Sequence, residues 1–458
     1  MNDCSLHSAL AFLDSWLAYR ARQVDIPGFS VAIYKDDRIV FSKAYGLADL
    51  ERDEPLTPRS LFGVASQSKL FTATAVLQLV EQGSLQLDDT ASTYLSWLTG
   101  HRDARVQDIT IRQLLTHGAG LIRDGLYTDF WHLRQPFPTG AALRDMVLAA
   151  DLVLDPNSAL KYSNLGFALL GQIVASVTGR PYTEYVTEHI VDKLELTNTF
   201  ADYAPELDAR LATAYGIPFE HRRPALKPRI PTDAFAPAVG IHATAEDMCR
   251  FASAHFLGDT RLLSDRTKRE AQRAHRTGTG YDDGWQFGMG FEIQHIGERR
   301  VVGHGGQLAG YLTATYFDPK DKLAVAVLAN CKDAPSTQIV RGIFEALDWF
   351  GQYASHPAEK QLERLNTRVC SGVALVEVVA AAERIVLIDP DDWEPFTFCE
   401  TCEQITPTTL RITTPGSVMN EGESLHYTFA QDTLQSVQYA GLNLVPEAAY
   451  RARLKNNT

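Results

Sequence analysis

A serine three residues ahead of a lysine, a tyrosine two ahead of an asparagine, and a histidine followed by two glycines carry the reactive chemistry of this chain. They stand in Ser66-Gln-Ser-Lys69, Tyr162-Ser-Asn164 and His304-Gly305-Gly306. A serine hydroxyl is a poor nucleophile at neutral pH and needs an adjacent base. A lysine amine serves once burial or a neighbouring positive charge lowers its pKa, and at i, i+3 on a helix it shares a face with the hydroxyl. A phenol beside an ammonium can relay a proton. An asparagine amide can donate to a substrate carbonyl and accept from Lys69. Glycines on a strand edge allow close backbone approach and offer N–H groups to a carbonyl oxygen.

Taken singly, each motif has an ordinary structural reading: a capping serine with a solvated lysine, a core tyrosine with an asparagine N-cap, a glycine turn. The chain holds its own decoy, Ser158-Ala-Leu-Lys161. That pair follows the turn signal Pro156-Asn157, so it reads as a loop. Ser66, in contrast, opens a helical pattern running to Gln82 with Gly83 behind it as a C-terminal cap. A helix N-terminus also favours negative charge developing on the serine oxygen.

The elements that must position these residues follow from periodicity. Phe29–Tyr34 and Ile39–Ala44 alternate about a turn at Asp36-Asp37 and read as a hairpin. Residues 85 to 300 read as helices and loops, including an amphipathic helix from Asn164 to Val177. Strands return after Val301-Val302, at Tyr311–Phe317 and Leu323–Leu328. The expected fold is α+β: an antiparallel sheet built from both ends of the region, flanked by helices and carrying a helical lobe, with the site at their seam. A helix near Gln338–Trp349 precedes short apolar runs at Val373–Val379, Ile385–Ile388, Leu410–Thr413, Leu425–Phe429 and Leu434–Val437. Those predict a small all-β domain, a barrel or sandwich. The expected division is a hydrolase-like domain over 1–352 and an acidic β-rich domain over 353–458.

Composition bounds the partners. The 458 residues carry a net charge of −13, which argues against nucleic acid, whose phosphates call for clustered Lys and Arg. No apolar run approaches the ~18 residues of a membrane span. The N-terminal stretch (Leu10, Phe12, Leu13, Trp16, Leu17) reads as an amphipathic helix, not a signal peptide. Six cysteines do not make a disulfide framework, and a cytoplasmic location with reduced thiols is expected. Cys399-Glu-Thr-Cys402 lacks the further ligands that zinc requires, so neither a metal nor a cofactor is expected.

Together the three motifs resemble those of the penicillin-recognising serine enzymes: class C β-lactamases, D-alanyl-D-alanine carboxypeptidases, D-aminopeptidases and related esterases. Phe62-Gly-Val-Ala-Ser66-Gln-Ser-Lys69 looks like that superfamily's nucleophile helix. Ile109–Leu121, Pro237–Asp247 and Gly303–Tyr311 are similar to segments its members carry, and the likeness covers roughly residues 8 to 350. The resemblance implies acyl transfer through Ser66, with Lys69 and Tyr162 sharing general-base and general-acid duty in an order the sequence leaves open. It implies that Asn164, His304, Gly305 and Gly306 bind substrate and that the N–H groups of Ser66 and Gln307 form an oxyanion hole. Tyr311, beside the glycines, is a further candidate for the pocket wall. Members that hydrolyse β-lactams usually carry Lys-Thr-Gly where this chain has His-Gly-Gly, and Gly305 offers no hydroxyl to a penicillin carboxylate. Gly118-Ala119 stand where Thr-Ser is common, a structural variation, and His117 reads as a satisfied buried histidine.

The expected activity is therefore an esterase, or a D-aminopeptidase- or carboxypeptidase-like hydrolase acting on a small molecule, ester or short peptide. An acyltransferase using the same acyl-enzyme and a non-catalytic binder or sensor are the rivals. For the C-terminal domain, homo-oligomerisation, capping of the site and partner binding are all open.

Overall fold

The computed structural model describes residues 3–280, 283–353, 364–381, 384–417, 419–431 and 433–456. The chain forms two compact units, residues 25–340 and residues 1–24 together with 341–458. The N-terminal helix Asp3–Gln23 thus groups with the C-terminal part of the chain, and the expected boundary at 352 falls inside the helix Ser336–Tyr353.

The larger unit is built on a nine-stranded antiparallel sheet. Its order is Glu54–Pro55, Arg38–Asp49, Gly28–Lys35, Leu323–Ala329, Tyr311–Asp318, Arg299–Leu308, Glu292–Ile296, Gln286–Phe287, Arg276–Thr277. The early hairpin and the returning strands meet through Gly28–Lys35 and Leu323–Ala329, in register from Phe29↔Ala329 to Lys35↔Leu323. Asp36 and Asp37 take φ of 50° and 62° in the hairpin turn, where a short polar side chain tolerates the left-handed region. The strands at 276–277, 286–287 and 292–296 extend the sheet within a stretch that the sequence pattern assigns to helices and loops. Two of them are two residues long, too short to show a period.

The helix Ser68–Glu81 is buried over every residue from Ser68 to Leu79. A helix with no polar stripe has to be enclosed on all sides. One side is closed by Phe71, stacked on Phe251 of the helix Ala245–Ser253 with ring centroids 3.9 Å apart. Gly83 (φ 74°) follows the helix in the left-handed turn expected of it. The helix Asn164–Thr178 lies in the helical lobe, capped by the Ser163 side chain and ended by Gly179 (φ 68°).

In the smaller unit, eight antiparallel strands between Thr367 and Pro446 close into a barrel through Val369↔Pro446 and Cys370↔Val445. Its interior holds Val378, Leu410, Leu425, Val437 and Leu444. The apolar run starting at Val373 divides differently from expectation. Val373 lies in a turn, 82% exposed, between the strands Thr367–Cys370 and Leu375–Ala381. The N-terminal helix packs Phe12 on Phe396 and Trp16 on Trp393 of this unit, and Trp16 Nε1 donates to Pro390 O. Cys399 and Cys402 are free thiols. No helix among the described residues is long and apolar enough to cross a membrane.

Candidate active site

Ser66 sits in the short 3-10 turn Ala65–Gln67 that leads into the buried helix. Ala65, just before it, takes φ of 55°, a left-handed conformation that costs a residue with a side chain about 1–2 kcal/mol. The turn is held from several sides. Thr313 Oγ1 donates to Val64 O at 3.0 Å, Ser68 Oγ donates to Ala65 O at 2.7 Å, and Ile241 N donates to Ser68 Oγ at 2.9 Å. Gly306 closes the fourth side, because a Cβ there would meet Val64 O at 2.2 Å and Ala65 Cβ at 3.2 Å. The glycine therefore serves the approach of strand to nucleophile turn. Gly305 has no such role, since nothing lies nearer than 3.9 Å to the Cβ it lacks.

Lys69 is fully buried. Its Nζ lies 3.2 Å from Ser66 Oγ and donates to Ala238 O at 2.9 Å. The aromatic faces of Tyr162 and Phe167 stand 5.0 and 5.6 Å from it. Burial holds its pKa well below the ordinary lysine range and Arg123 adds to the effect, while Asp124 and Glu292 oppose it. Burial pushes the pKa of the Tyr162 phenol up, and its interaction with the Ser66 side chain only partly opposes that shift. One amine readily neutral and one phenol firmly protonated thus converge on a single hydroxyl. Ser158, by contrast, donates to Asp155 O in a loop, and the decoy pair opens no helix.

Asn164 differs from the expected arrangement. Its Nδ2 donates to Asp124 Oδ1 at 2.6 Å, and its Oδ1 is buried without a partner, so it accepts nothing from Lys69. The Lys69 proton goes instead to the Ala238 carbonyl, a backbone group no side-chain pattern could reveal.

His304 lies within the strand Arg299–Leu308, not in a turn, and is buried. Its Nδ1 faces two acceptors, the Gly305 carbonyl and Glu292 Oε1 at 3.5 Å, so that nitrogen carries the proton. Nε2 is then a bare acceptor, buried without a partner, on a ring 6.1 Å from that of Tyr162. Burial lowers the His304 pKa, with Lys69 adding and Glu292 opposing. Glu292 also accepts from Gly305 N at 3.2 Å and from the Tyr316 hydroxyl. Sequence reasoning passed over Glu292. Its signal was a carboxylate inside the buried run Phe291–Ile293.

His117 is buried but not satisfied. Nδ1 accepts from Ser163 N at 3.2 Å, which leaves the proton on Nε2 without an acceptor. Its ring lies 4.3 Å from that of Tyr162 and holds the phenol from behind. Gly118 makes room for Arg276, whose guanidinium would stand 2.5 Å from a Cβ at that position. That accounts for a glycine at this position; nothing in the structure explains Ala119.

A cavity of about 640 Å³ opens at Ser66, with Asn164 and Gln307 in its wall. Tyr311 is not among the lining residues. Its hydroxyl donates to Ala212 O at 2.6 Å, and its ring borders a smaller apolar pocket next door. Among the other aromatic residues nearby, Trp131 lines the cavity, Phe130 is core, and Trp285 and Phe287 surround Tyr162.

The chain is similar to several known proteins. A family model described as Beta-lactamase matches residues 13–347. "Protein flp" of Staphylococcus aureus (strain MW2) is 24% identical over 327 residues, 69% of this chain, and the chain spans 62% of that relative's length. An octameric penicillin-binding protein homologue from Pyrococcus abyssi superposes with a TM-score of 0.65 at 20% identity, covering 95% of this chain and 99% of the other. D-amino acid amidase from Ochrobactrum anthropi SV3, complexed with L-phenylalanine amide, gives 0.63 at 22% identity over 76% and 97%.

Proposed function

The chain belongs to the Beta-lactamase family of serine hydrolases, and on that premise we propose that it cleaves an ester or amide bond through an acyl-enzyme on Ser66. The observation that carries the reading is the 3.2 Å separation between Ser66 Oγ and a fully buried lysine amine whose pKa is lowered. Neutral Lys69 takes the Ser66 proton as Oγ bonds to the substrate carbonyl carbon. The oxyanion that forms is met by the N–H groups of Ser66 and Gln307. As the bond to the leaving group breaks, Tyr162 gives that group its proton and recovers one from the Lys69 ammonium. Water then repeats the sequence in place of Ser66 and releases the acid. The directions of the two pKa shifts favour Lys69 as the acylation base and Tyr162 as the acid.

His-Gly-Gly in the third motif favours an esterase or a D-aminopeptidase- or carboxypeptidase-like amidase over a dedicated β-lactamase. The amidase among the structural neighbours supports that range. The octameric state of the Pyrococcus abyssi homologue supports self-association, which we assign to the C-terminal barrel.

Intact-mass analysis after incubation with a fluorophosphonate tests the nucleophile. One adduct, lost in Ser66→Ala, is expected, and an unmodified wild-type chain would refute the acyl-enzyme. In a panel of p-nitrophenyl esters, D-amino-acid anilides and nitrocefin, short-chain esters should turn over and nitrocefin hardly at all. Nitrocefin hydrolysis as fast as the esters would overturn the reading of His304-Gly305-Gly306.

A further inference from the structure

We propose that the acyl group this enzyme accepts carries a negative charge at its far end. The inference rests on Ser66 as nucleophile and Tyr162 as proton donor, and it names the substrate class. A leaving group departs beside the group that protonates it, so its place is next to Tyr162, among Trp285, Phe287 and His304. None of those four residues lines the 640 Å³ cavity, whereas Ser66, Asn164 and Gln307 do. The cavity is therefore left for the acyl side of the scissile bond, and its volume suits a small organic group.

The cavity's lining is electrostatically one-sided. Trp131, Leu226, Val239 and Leu308 give it apolar surface, while Arg123, Arg134, Lys227 and Lys332 bring four cations against a single carboxylate, Asp124. That carboxylate is already engaged, by Arg123 at 3.2 Å and by Asn164 at 2.6 Å. Arg134, Lys227 and Lys332 are exposed and form no ion pair among the described residues. The chain carries a net charge of −13, yet the two carboxylates that share a neighbouring pocket with Lys227, Asp49 and Asp208, are engaged by Arg52 and Arg229 instead. Uncompensated like charges around a cleft with low-dielectric walls repel one another and focus a field that attracts an anion. They also disfavour an acyl donor with a free ammonium, which separates this site from one built for aminoacyl substrates. The ligand that satisfies both features is an acyl chain with an apolar stem and a terminal carboxylate, as in the half-esters and half-amides of dicarboxylic acids.

The test compares kcat/KM for three p-nitrophenyl esters of matched length: the glutarate monoester, the pentanoate, and the 4-(trimethylammonio)butanoate. The glutarate ester should lead the pentanoate by about tenfold or more, and the cationic ester should be slowest. The lead should shrink as salt is raised, since exposed charges are screened. In K227E/K332E the order of the anionic and cationic esters should invert. A wild-type enzyme that treats all three alike, or a preference unchanged in K227E/K332E, would overturn the proposal. Binding of glutarate monoamide and of pentanamide to Ser66→Ala, measured by calorimetry, reads the same preference without turnover. Equal affinities there would sink the anionic site even if Ser66 is the nucleophile. A retained preference with no wild-type turnover would instead count against the acyl-enzyme alone.

Discussion

The two units treat a buried basic side chain in opposite ways, Arg368 in the one and Lys69 in the other. In the barrel unit, Arg368 donates twice to Glu377 Oε2, at 3.0 and 2.7 Å, and once to Glu447 Oε2 at 3.1 Å. Its guanidinium also lies 4.1 Å from the centre of the Tyr19 ring. In the hydrolase unit, Lys69 meets a hydroxyl, one carbonyl and two aromatic faces, and among the described residues no carboxylate is paired with it. The nearby Asp124 is held by Asn164 and Arg123. A buried charge with all its partners is a structural device. One kept short of partners shifts its pKa and becomes available for chemistry. The unpartnered atoms of Asn164, His117 and His304 lie in the second setting and belong to the same pattern.

The comparison is broken most directly at Lys69. Lys69→Met should lower kcat/KM by about 10⁴-fold or more, the scale seen when one member of a catalytic set is removed. The same change should raise the thermal midpoint of the hydrolase unit. The folded-state pKa lies below the unfolded value, so between them the unfolded chain binds more protons and stability rises with pH. Wild type should therefore gain stability from pH 7 to pH 9, and the methionine variant should lose that slope. Thermal scans at the two pH values check it; a midpoint lowered by the substitution would contradict the account. The opposite outcome is expected in the barrel. Arg368→Met leaves Glu377 buried and unpaired, which typically costs about 3–5 kcal/mol. Denaturant unfolding of the barrel unit measures it, and a loss below 1 kcal/mol would show that the pair is not holding the wall.

The pH profile sharpens the division of labour between Lys69 and Tyr162. If the neutral amine is the base, kcat/KM falls tenfold per unit on the acid side of a depressed lysine pKa and then levels. Because burial raises the Tyr162 pKa, the acid form survives and no alkaline fall should appear up to pH 10. A rate that continued to climb tenfold per unit through pH 10 would transfer the base role to the phenolate.

How much of this was legible from the sequence follows the reach of each signal. The hairpin at Gly28–Asp49 and the returning strands showed because their apolar residues run between clear turn signals, and the buried helix after Ser66 showed because a stretch free of Gly and Pro ends at Gly83. Ser66 and Lys69 showed because i, i+3 on a helix is a local geometry. What stayed hidden is long-range: the Ala238 carbonyl that takes the lysine proton, Asp124 on the Asn164 amide, and Glu292 under His304. The barrel strands Glu400–Thr406 and Leu442–Pro446 were missed for another reason. The first is mostly polar and solvent-facing, and in the second Asn443 and Pro446 break up the apolar residues, so neither makes an apolar run. The N-terminal helix was legible as a helix but not as a partner of Trp393 and Phe396, since periodicity gives a face and not what covers it.

The two adjacent glycines of the third motif make the finest test, because a shared sequence reading splits into two structural roles. A methyl at Gly306 would meet Val64 O at 2.2 Å and Thr313 Oγ1 at 2.6 Å, the very atoms that pin the left-handed Ala65. The strand must then retreat from the nucleophile turn, carrying the Gln307 N–H away from that of Ser66. Losing one oxyanion donor costs about 10²–10³ in kcat, so Gly306→Ala should lose about a hundredfold. At Gly305 the nearest neighbours of the same methyl are Thr313 O and the Tyr316 hydroxyl, both at 3.9 Å, ordinary van der Waals distance. Gly305→Ala should therefore stay within about twofold of wild type in kcat/KM and in KM. Equal losses at both positions would mean that the motif acts through backbone flexibility and not through the approach of one strand to Ser66.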